Sequence, residues 1–352
     1  MNSPSPLRIA TRGSALALAQ ANLVLALCKS AFPKLAFDLK IIKTTGDKLQ
    51  TASMSEVGGA LPKGLFTKEI EEALLANEAD FAVHSLKDLP TALPPGLVLG
   101  AVTKRADARD ILIYRDHRAV QGRVIAEWSP GQPRAWSGFR KGLRLAALPE
   151  GSVVGTSSTR REAQAAKINP GLRFSHIRGN VGTRLHKLAE NPGLDALILA
   201  SAGLERLSWR IFPDGSLRGQ GVPEGLLAVP VEPEEMVPCV GQGAIGIERR
   251  ENDEQAAKVC EDLNHFGTFQ SVTAERAFLS AMGGGCQSPI GAHARFYGHK
   301  IYLTTVVIAD GQVKRAAGTG SPGQAEALGR IVAADLLEQT TPQTAPEGHP
   351  NA

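Results

Sequence analysis

Hydrophobic and polar positions in the first third of the chain alternate between strand-like and helix-like patterns. Short apolar runs at Leu7–Thr11 and Phe37–Thr44 predict strands, and the periodic run Ala15–Lys29 between them predicts an amphipathic helix. A second helical pattern spans Lys63–Asn77, and a strand is predicted after it at Asp80–Leu86. This order of elements is typical of an α/β domain with a parallel-leaning sheet.

The middle third repeats the scheme. A strand at Ser152–Ser158 precedes a helix at Thr159–Ile168, and a strand at Arg173–Ile177 precedes a helix at Val181–Glu190. A further strand and helix follow over 195–207. Two sets of such units predict two α/β domains.

The last third predicts a crossing and a smaller third domain. Leu226–Glu248 carries prolines and glycines and ends in a strand-like run, so we expect it to return the chain to the first domain. Two helices, Asp253–Leu263 and Ser271–Met282, then precede the turn that holds Cys286 and a strand series near 300–310. The expected domains are residues 1–103 with 229–249, residues 104–228 and residues 250–340, followed by a disordered tail at 341–352. We interpret 117–145 as a long surface loop or an insertion, because it has no clear period.

Composition narrows the class of protein. The chain has 352 residues, is 43% hydrophobic and has four cysteines, none of them in a CxxC pair. Such sparse cysteines exclude a disulfide scaffold and indicate a reducing compartment, and no zinc-type spacing is present. The run Ala15–Cys28 has the look of a signal-peptide core, but Gln20 and Asn22 interrupt it and a helix is the better interpretation. No apolar run reaches membrane-spanning length, so we expect a cytoplasmic protein.

Positive charge is concentrated in the middle of the chain. Residues 104–218 contain 20 Lys and Arg against 10 Asp and Glu, a balance of +10 within a total of +4. This pattern predicts an anionic ligand. Nucleic acid is one alternative, but aromatic residues make up only 5% of the chain and lysine runs are missing from this region. Arginines within motifs favour discrete carboxylates or phosphates.

Turns between a strand and a helix supply the candidate anion sites. In Val153–Gln164, the hydroxyls of Thr156, Ser157 and Ser158 precede a helix that opens with Arg160 and Arg161. Arginines in the first turn oppose the helix dipole, so we expect an anion to compensate them; ordinary capping with solvated arginines is the alternative. Two further turns have the same construction, one with Arg178, Gly182 and Arg184 and one with Arg12 and Ser14. No GxxxxGK[ST] phosphate loop is present, which argues against an ATPase.

Asp88 and Cys286 are the candidates for chemistry. Lys87 and Asp88 follow the strand that ends near Ser85, and the pair is either solvated or functional. In the functional interpretation, Asp88 stays ionised among cations and moves a proton or stabilises a developing cation, while Ser85 and Lys87 contact carboxylates. Cys286 lies in the glycine-rich stretch Gly283–Gly291 and is a buried small residue, a nucleophile or a covalent tether for a prosthetic group.

Together these segments resemble the porphobilinogen deaminase family. They occur in the family's order and cover about residues 7–110 and 150–295. The segments are "LRIATRGSALALAQA", "KGLFTKEIEEALL", "AVHSLKDLPT", "VVGTSSTRREAQ", "HIRGNVGTRLHKL", "LILASAGLERL", "VGQGAIGIE", "VTAERAFL" and "GGCQSPIG".

The resemblance implies a function that the residues alone leave open. The family is a transferase of haem biosynthesis that joins four porphobilinogen molecules into hydroxymethylbilane and releases ammonia at each addition. It uses a dipyrromethane cofactor bound to a cysteine as a thioether, which by match is Cys286. It implies three α/β domains, the first two resembling the lobes of periplasmic binding proteins and the third carrying that cysteine, in a monomer without metal, membrane or nucleic acid.

Site roles also come from the resemblance. It implies that Asp88 is catalytic. Cofactor contacts fall on Ser85, Lys87, Asp88, Thr156, Ser157, Ser158, Arg160, Arg161, Gly182 and Arg184, and substrate contacts fall on Arg12, Ser14, Gln20, Arg178, Arg206 and Gln242. The loop before Gly64 departs from the family pattern by two extra residues, which leaves the role of Lys63 open. A two-lobed binding protein for an oligocarboxylate, with no chemistry, is the alternative from another class.

Overall fold

The computed structural model describes residues 5–47, 64–121, 136–284, 288–309 and 311–338. Its strands are β1 (Leu7–Arg12), β2 (Phe37–Ile42), β3 (Phe81–Ser85), β4 (Leu97–Val102), β5 (Asp110–Arg115), β6 (Val153–Gly155), β7 (Arg173–Ser175), β8 (Ala196–Ala200), β9 (Arg210–Ile211), β10 (Leu217–Arg218), β11 (Leu226–Val231), β12 (Ile245–Arg250), β13 (Ile290–Tyr297), β14 (Lys300–Ala309) and β15 (Gln312–Gly320). Its α-helices are α1 (Ala15–Ala31), α2 (Lys68–Leu75), α3 (Thr159–Ile168), α4 (Val181–Glu190), α5 (Ser201–Arg206), α6 (Glu254–Leu263), α7 (Phe266–Ala281) and α8 (Ala325–Glu338).

Two five-stranded sheets share one topology. The first has the order β2-β1-β3-β12-β4 and the second, read from its other edge, β7-β6-β8-β5-β11. In each, three neighbouring parallel strands are followed by a fourth and a fifth that run antiparallel to their neighbours. The fourth strand of each sheet arrives from the other half of the chain, so two crossing segments, 103–109 and 232–244, join the halves. The predicted α/β class with two similar lobes is confirmed.

Each sheet is buried against its own helices. Val24 and Cys28 of α1 pack with Ile9, Phe81 and Ile247 of the first sheet. In the second sheet, Leu185 and Leu188 of α4 pack on Ile113 and Leu197. We call the first sheet with α1, α2 and α6 the first lobe, and the second sheet with α3, α4 and α5 the second lobe.

A third unit follows the lobes. Strands β13, β14 and β15 form an antiparallel sheet that α7 and α8 cover, with Phe278, Leu303 and Val332 in its core. This agrees with the expected small α/β domain. None of the helices in the described parts of the chain is long and apolar enough to cross a membrane.

Several sequence expectations need correction. The helix expected at Lys63–Asn77 spans Lys68–Leu75, since the chain turns away at Asn77 with a φ of 56°. The helix expected at Ser271–Met282 begins earlier, at Phe266, where the His265 side chain caps it. β11 pairs with β5 as far as Val231, beyond the expected boundary at 229.

Two larger assignments also differ. Helix α6 packs in the core of the first lobe through Ala256, Val259 and Cys260, whereas the sequence interpretation placed it in the third domain. The described ends of segment 117–145 are not a loose surface loop, because Phe139 forms a bridge with Asp116 and Leu145 is buried in the second lobe. Residues 122–135 and the tail beyond 338 lie outside the described part.

Candidate active site

A small pocket lies where β1, β3 and α1 meet in the first lobe. It has a volume of about 60 Å³ and is lined by Ser14, Gln20, Ser85 and Asp88 among others. The Ser14 hydroxyl caps α1 by accepting a hydrogen bond from Ala17 N at 3.3 Å. The Gln20 amide is buried and donates to Ser85 Oγ at 2.8 Å, so the two side chains fix each other. These predicted site residues are brought together.

Arg12 also lines this pocket, but its charge is already paired. Its Nε donates to Asp47 Oδ1 at 3.2 Å, and its guanidinium lies 4.2 Å from the centre of the Phe66 ring. Burial opposes ionisation of Asp47, yet the bonds from Arg12 hold the pKa of Asp47 below its usual value. Arg12, from which we expected a contact with a substrate carboxylate, is therefore already paired with a carboxylate of the protein.

Lys87 and Asp88 lie in a short 3-10 helix, Leu86–Asp88, that directly follows β3. The Leu86 N–H donates to Ala244 O at 3.0 Å, which ties this helix to a crossing segment. Asp88 is exposed and Lys87 is half-buried. Burial lowers the pKa of Lys87 and Asp88 opposes that shift, while the nearby Arg161 reinforces it. The 3-10 helix thus holds the exposed Asp88 carboxylate beside the Lys87 ammonium, which is partly removed from water.

Arg160 and Arg161 already have a carboxylate partner within the protein. Both are buried, and both contact the fully buried Asp110, at 2.8 Å each. Burial disfavours the Asp110 anion, but the two guanidinium groups hold the pKa of Asp110 well below its usual value. The anion that compensates this helix start is thus a protein carboxylate, which the sequence argument missed because Asp110 lies far from the arginines along the chain.

Arg184 and Arg206, both half-buried, differ from this pair of arginines. Arg184 Nε donates to Gly179 O at 2.9 Å, and Arg206 Nη2 donates to Gly243 O of a crossing segment at 2.8 Å. Among the described residues, neither forms an ion pair with a carboxylate. Lys87 and Asp88 of the first lobe interact electrostatically with Arg161 and Arg206 of the second, as Arg184 does with Arg161, and we call the region between them the cleft. Burial lowers the pKa of Arg206 to about 10, with opposing contributions from Glu205 and Asp88, and lowers that of Arg184 as well. Half-buried cations without a carboxylate at ion-pair distance favour a site for an anionic ligand.

The remaining second-lobe candidates differ in their environment. Ser158 caps α3, and Thr156 accepts a hydrogen bond from Ser158 N at 3.1 Å. The Ser157 hydroxyl donates to Ile177 O at 2.7 Å. Gly182 lies in the first turn of α4, and Arg178 is exposed before that helix. Arg178 is therefore not packed against the other candidates.

Gln242 and Cys239 have surroundings that the sequence did not predict. Gln242 is buried and donates to Ala108 O and to Asp110 Oδ1, at 2.8 and 3.0 Å, so it supports the arginine cluster and is not open to a substrate. Cys239, which the sequence interpretation did not select, lies close to Arg160, Lys87 and Asp88, and burial raises its pKa. Cys286 and Lys63 lie outside the described residues.

Comparison with known proteins decides the family. The family described as "Porphobilinogen deaminase, dipyromethane cofactor binding domain" matches residues 7–258, and "Porphobilinogen deaminase, C-terminal domain" matches residues 269–338. The chain belongs to the porphobilinogen deaminase family. The resemblance read from the sequence is confirmed.

Relatives in the porphobilinogen deaminase family match nearly end to end. The porphobilinogen deaminase of Syntrophobacter fumaroxidans is 40% identical over 334 residues, which cover 94% of each chain. That of Geobacter metallireducens is 42% identical over 337 residues, covering 95% of this chain and 92% of the relative.

Solved structures show a weaker likeness. The periplasmic aliphatic sulphonate binding protein SsuA of Escherichia coli is 12% identical, with a TM-score of 0.40, over 96% of this chain and 88% of that one. The GluR0 ligand-binding core in complex with L-glutamate is 13% identical, with a TM-score of 0.33, over 74% and 92% of the two chains. The overlap is too low to bear on the site.

Proposed function

We propose that Asp88 carries the chemistry of this porphobilinogen deaminase, a transferase that condenses four porphobilinogen molecules head to tail into hydroxymethylbilane with release of ammonia. The observation that supports the assignment is the position of Asp88. Its exposed carboxylate lines the pocket of Ser14, Gln20 and Ser85, and it interacts with Lys87 of its own lobe and Arg206 of the other. Asp88 is thus the only carboxylate among the described residues that line this pocket, and it interacts with cations of both lobes.

This position suits both halves of the reaction. Loss of ammonia from porphobilinogen leaves a cation on the substrate, which a fixed carboxylate stabilises electrostatically. The same carboxylate is placed to receive the proton that is lost as the new carbon–carbon bond forms. In this role Ser14, Gln20 and Ser85 orient the substrate in the pocket.

The dipyrromethane cofactor of the family fits the cations of the cleft. Each of its pyrroles carries an acetate and a propionate, and Arg184 and Arg206 are half-buried cations that form no ion pair with a carboxylate among the described residues. When bound, the cofactor supplies a tethered primer for the growing chain. We propose that Lys87, Arg184 and Arg206 hold its carboxylates. Backbone N–H groups at the starts of α3 and α4, near Ser158 and Gly182, supply further donors, and Cys286 provides the thioether.

Substitution of Asp88 tests this role. Asp88→Asn keeps the size of the side chain but removes its charge, so we expect a fall in kcat of about 10²-fold or more. Binding of porphobilinogen and the mass of the purified chain, cofactor included, should stay unchanged. Asp38→Asn, at an exposed position on β2, is the matched control and should retain full activity.

The mass measurement also tests the tether. Cys286→Ser should yield a chain with the mass of the bare polypeptide. Wild-type kcat in Asp88→Asn would remove the catalytic assignment, and retained cofactor mass in Cys286→Ser would remove the attachment site.

We also propose that the enzyme acts as a cytoplasmic monomer. One chain supplies all the residues assigned to the cleft. Cys28, Cys239 and Cys260 are free thiols, which is in keeping with a reducing compartment.

A further inference from the structure

A buried histidine and two glutamates lie behind the Asp88 pocket. His84 on β3 lines that pocket, and its Nε2 lies 3.0 Å from Glu248 Oε2 on β12. The two side chains are only 4% and 0% exposed. Glu71 on α2 is close enough to interact electrostatically with both. A histidine and a carboxylate are thus removed from water at the base of the candidate active site.

The hydrogen-bonding capacity of this cluster is not used up. Glu248 Oε1, Glu71 Oε1 and Thr67 Oγ1 are buried without a hydrogen-bond partner among the described residues. Thr67 also lines the Asp88 pocket. Buried carboxylate oxygens without donors are costly, and a proton is the simplest species that would relieve the cost.

The surroundings of Glu71 also favour its protonated form. Burial raises the pKa of Glu71, and the nearby Glu248 carboxylate raises it further. The Thr67 hydroxyl lowers this pKa, although it does not form a hydrogen bond of normal geometry with Glu71. An imidazolium beside a buried carboxylate is stabilised electrostatically, so the His84–Glu248 pair, joined at 3.0 Å, is suited to hold a proton for a short time. The other charged residues on α2 are Lys68, Glu69 and Glu72, those on β1 are Arg8 and Arg12, and those on β12 are Arg249 and Arg250. Asp47 pairs with Arg12, and Lys87 and Asp88 directly follow β3.

We propose that His84, supported by Glu248 and Glu71, is a proton relay that returns Asp88 to its ionised form after each addition. As the new carbon–carbon bond forms, the free α-carbon of the pyrrole that ends the growing chain attacks the substrate cation, then loses its proton, and the C–H electron pair returns to that ring. Asp88 takes this proton and passes it to the His84 imidazole, and the resulting imidazolium is paired with the Glu248 carboxylate. The proton then passes to solvent, where it converts the ammonia released earlier into ammonium, so each addition balances without another reactant. His84 acts through Asp88 and is a positioning residue; the inference rests on the role proposed for Asp88.

Two isosteric substitutions test the relay. In His84→Gln, the amide can still donate to Glu248 but cannot take up a proton. In Glu248→Gln, the charge that stabilises the imidazolium is removed. For both we expect kcat to fall at least 10-fold while KM changes less than twofold. We also expect a larger solvent deuterium isotope effect on single-turnover bond formation and partial recovery of the rate with rising concentrations of a basic buffer such as imidazole.

Glu72→Gln is the matched control, because Glu72 is exposed on the same helix and pairs with Lys68. It should leave the rate, isotope effect and buffer response unchanged. Cofactor mass, measured without substrate, should stay at the wild-type value in all three variants, and all three should remain folded. Wild-type kcat in His84→Gln, a rise in KM that accounts for the loss, or misfolding of both test variants would each overturn the relay and leave a structural role. Wild-type kcat in Asp88→Asn would remove the catalytic role of Asp88 and the relay with it. Wild-type kcat in His84→Gln, together with a low kcat in Asp88→Asn, would remove the relay alone.

Discussion

At the residue scale, Asp110 organises the cationic side of the cleft. It is the first residue of β5, is fully buried and contacts Arg160, Arg161 and Gln242. Two guanidinium groups without this carboxylate would be buried without compensation, and a charge in that state is expensive. We infer that Asp110 keeps both arginines in place before any ligand binds.

Asp110→Asn tests this role. Removal of one partner from a buried charge cluster is expected to lower the free energy of unfolding by about 3–5 kcal/mol. It should also reduce the fraction of chains that carry the cofactor, because Arg160 and Arg161 lose their fixed positions. Chemical denaturation and intact mass provide the two measurements. Asp214→Asn, in the exposed pair with Arg218, is the control and should change neither. A loss of under about 1 kcal/mol for Asp110→Asn would contradict the assignment.

The difference between wild type and Asp110→Asn should depend on pH. The pKa of Asp110 is lowered in the folded chain, so its contribution to stability is present above the unfolded value of about 3.9. It is lost as the pH falls from there towards the lower folded value. Denaturation curves should therefore show a constant difference between pH 5 and 7 that narrows below about pH 4. A difference that stays constant to pH 3 would argue against this linkage.

At the element scale, α6 shows how packing assigns a helix to a lobe. Sequence order places it beside α7, but Val259, Cys260 and Leu263 lie in the first-lobe core with Ile9 and Ile247. Its start is fixed locally, because the Asp253 side chain accepts a hydrogen bond from Ala256 N at 2.9 Å. The helix can therefore form from its own sequence, while the surface it buries is decided by the tertiary fold.

Hydrogen exchange on two matched Leu→Ala variants tests the assignment of α6. Leu303→Ala removes a core side chain of the third unit and Leu263→Ala removes one from α6, each at a cost of about 2–5 kcal/mol. We expect Leu303→Ala to lower protection in α7, α8 and β13–β15 while α6 stays protected. Leu263→Ala should lower protection in α6 and the first sheet. Loss of α6 protection in Leu303→Ala would place the helix with the third unit instead.

At the scale of the whole molecule, the crossing segments join all three units. The buried Glu275 of α7 accepts hydrogen bonds from Arg105 in one crossing segment and from Gly241 N in the other, at 2.6 and 2.7 Å. It also accepts one from Ala294 N of β13. Between the lobes, α1 contacts α5 and Arg206 reaches Gly243. A product that grows by one unit per step needs room, so we expect movement between the lobes about these two segments.

At Gly243 one crossing segment lies so close to the other that a substitution tests whether their contact matters for turnover. Its φ is 84°, and a Cβ there would lie 2.7 Å from Ala106 O. We expect Gly243→Ala to push the segments apart and lower kcat at least 10-fold, with partly extended chains visible as a ladder in intact mass spectra. Gly221→Ala is the control, because its φ of 76° imposes similar backbone strain with no atom within 4 Å of the new Cβ. Equal activity in the two variants would show that the close approach has no part in turnover.

Local features of the sequence predicted a good share of the fold. Helices α3 and α4 have the predicted limits, because Ser158 and Asn180 cap them through hydrogen bonds to residues three positions away. The site was predicted less completely. Asp88, Ser85 and Gln20 do share a pocket, but the expected open Arg12, Arg160 and Arg161 are paired with Asp47 and Asp110. Asp110 was missed because it lies 51 residues from Arg161, and no local pattern marks such a partner.

The sequence by itself determined the helices and strands, the concentration of arginines and the order of motifs that indicates the porphobilinogen deaminase family. These depend on interactions between residues that are near one another along the chain. Only the tertiary structure decided which arginines are neutralised, which remain without a carboxylate and which carboxylates are buried beside Asp88. Such choices depend on desolvation and on contacts between distant segments, since the same guanidinium is a solvated charge, a buried pair or a ligand site according to what packs against it.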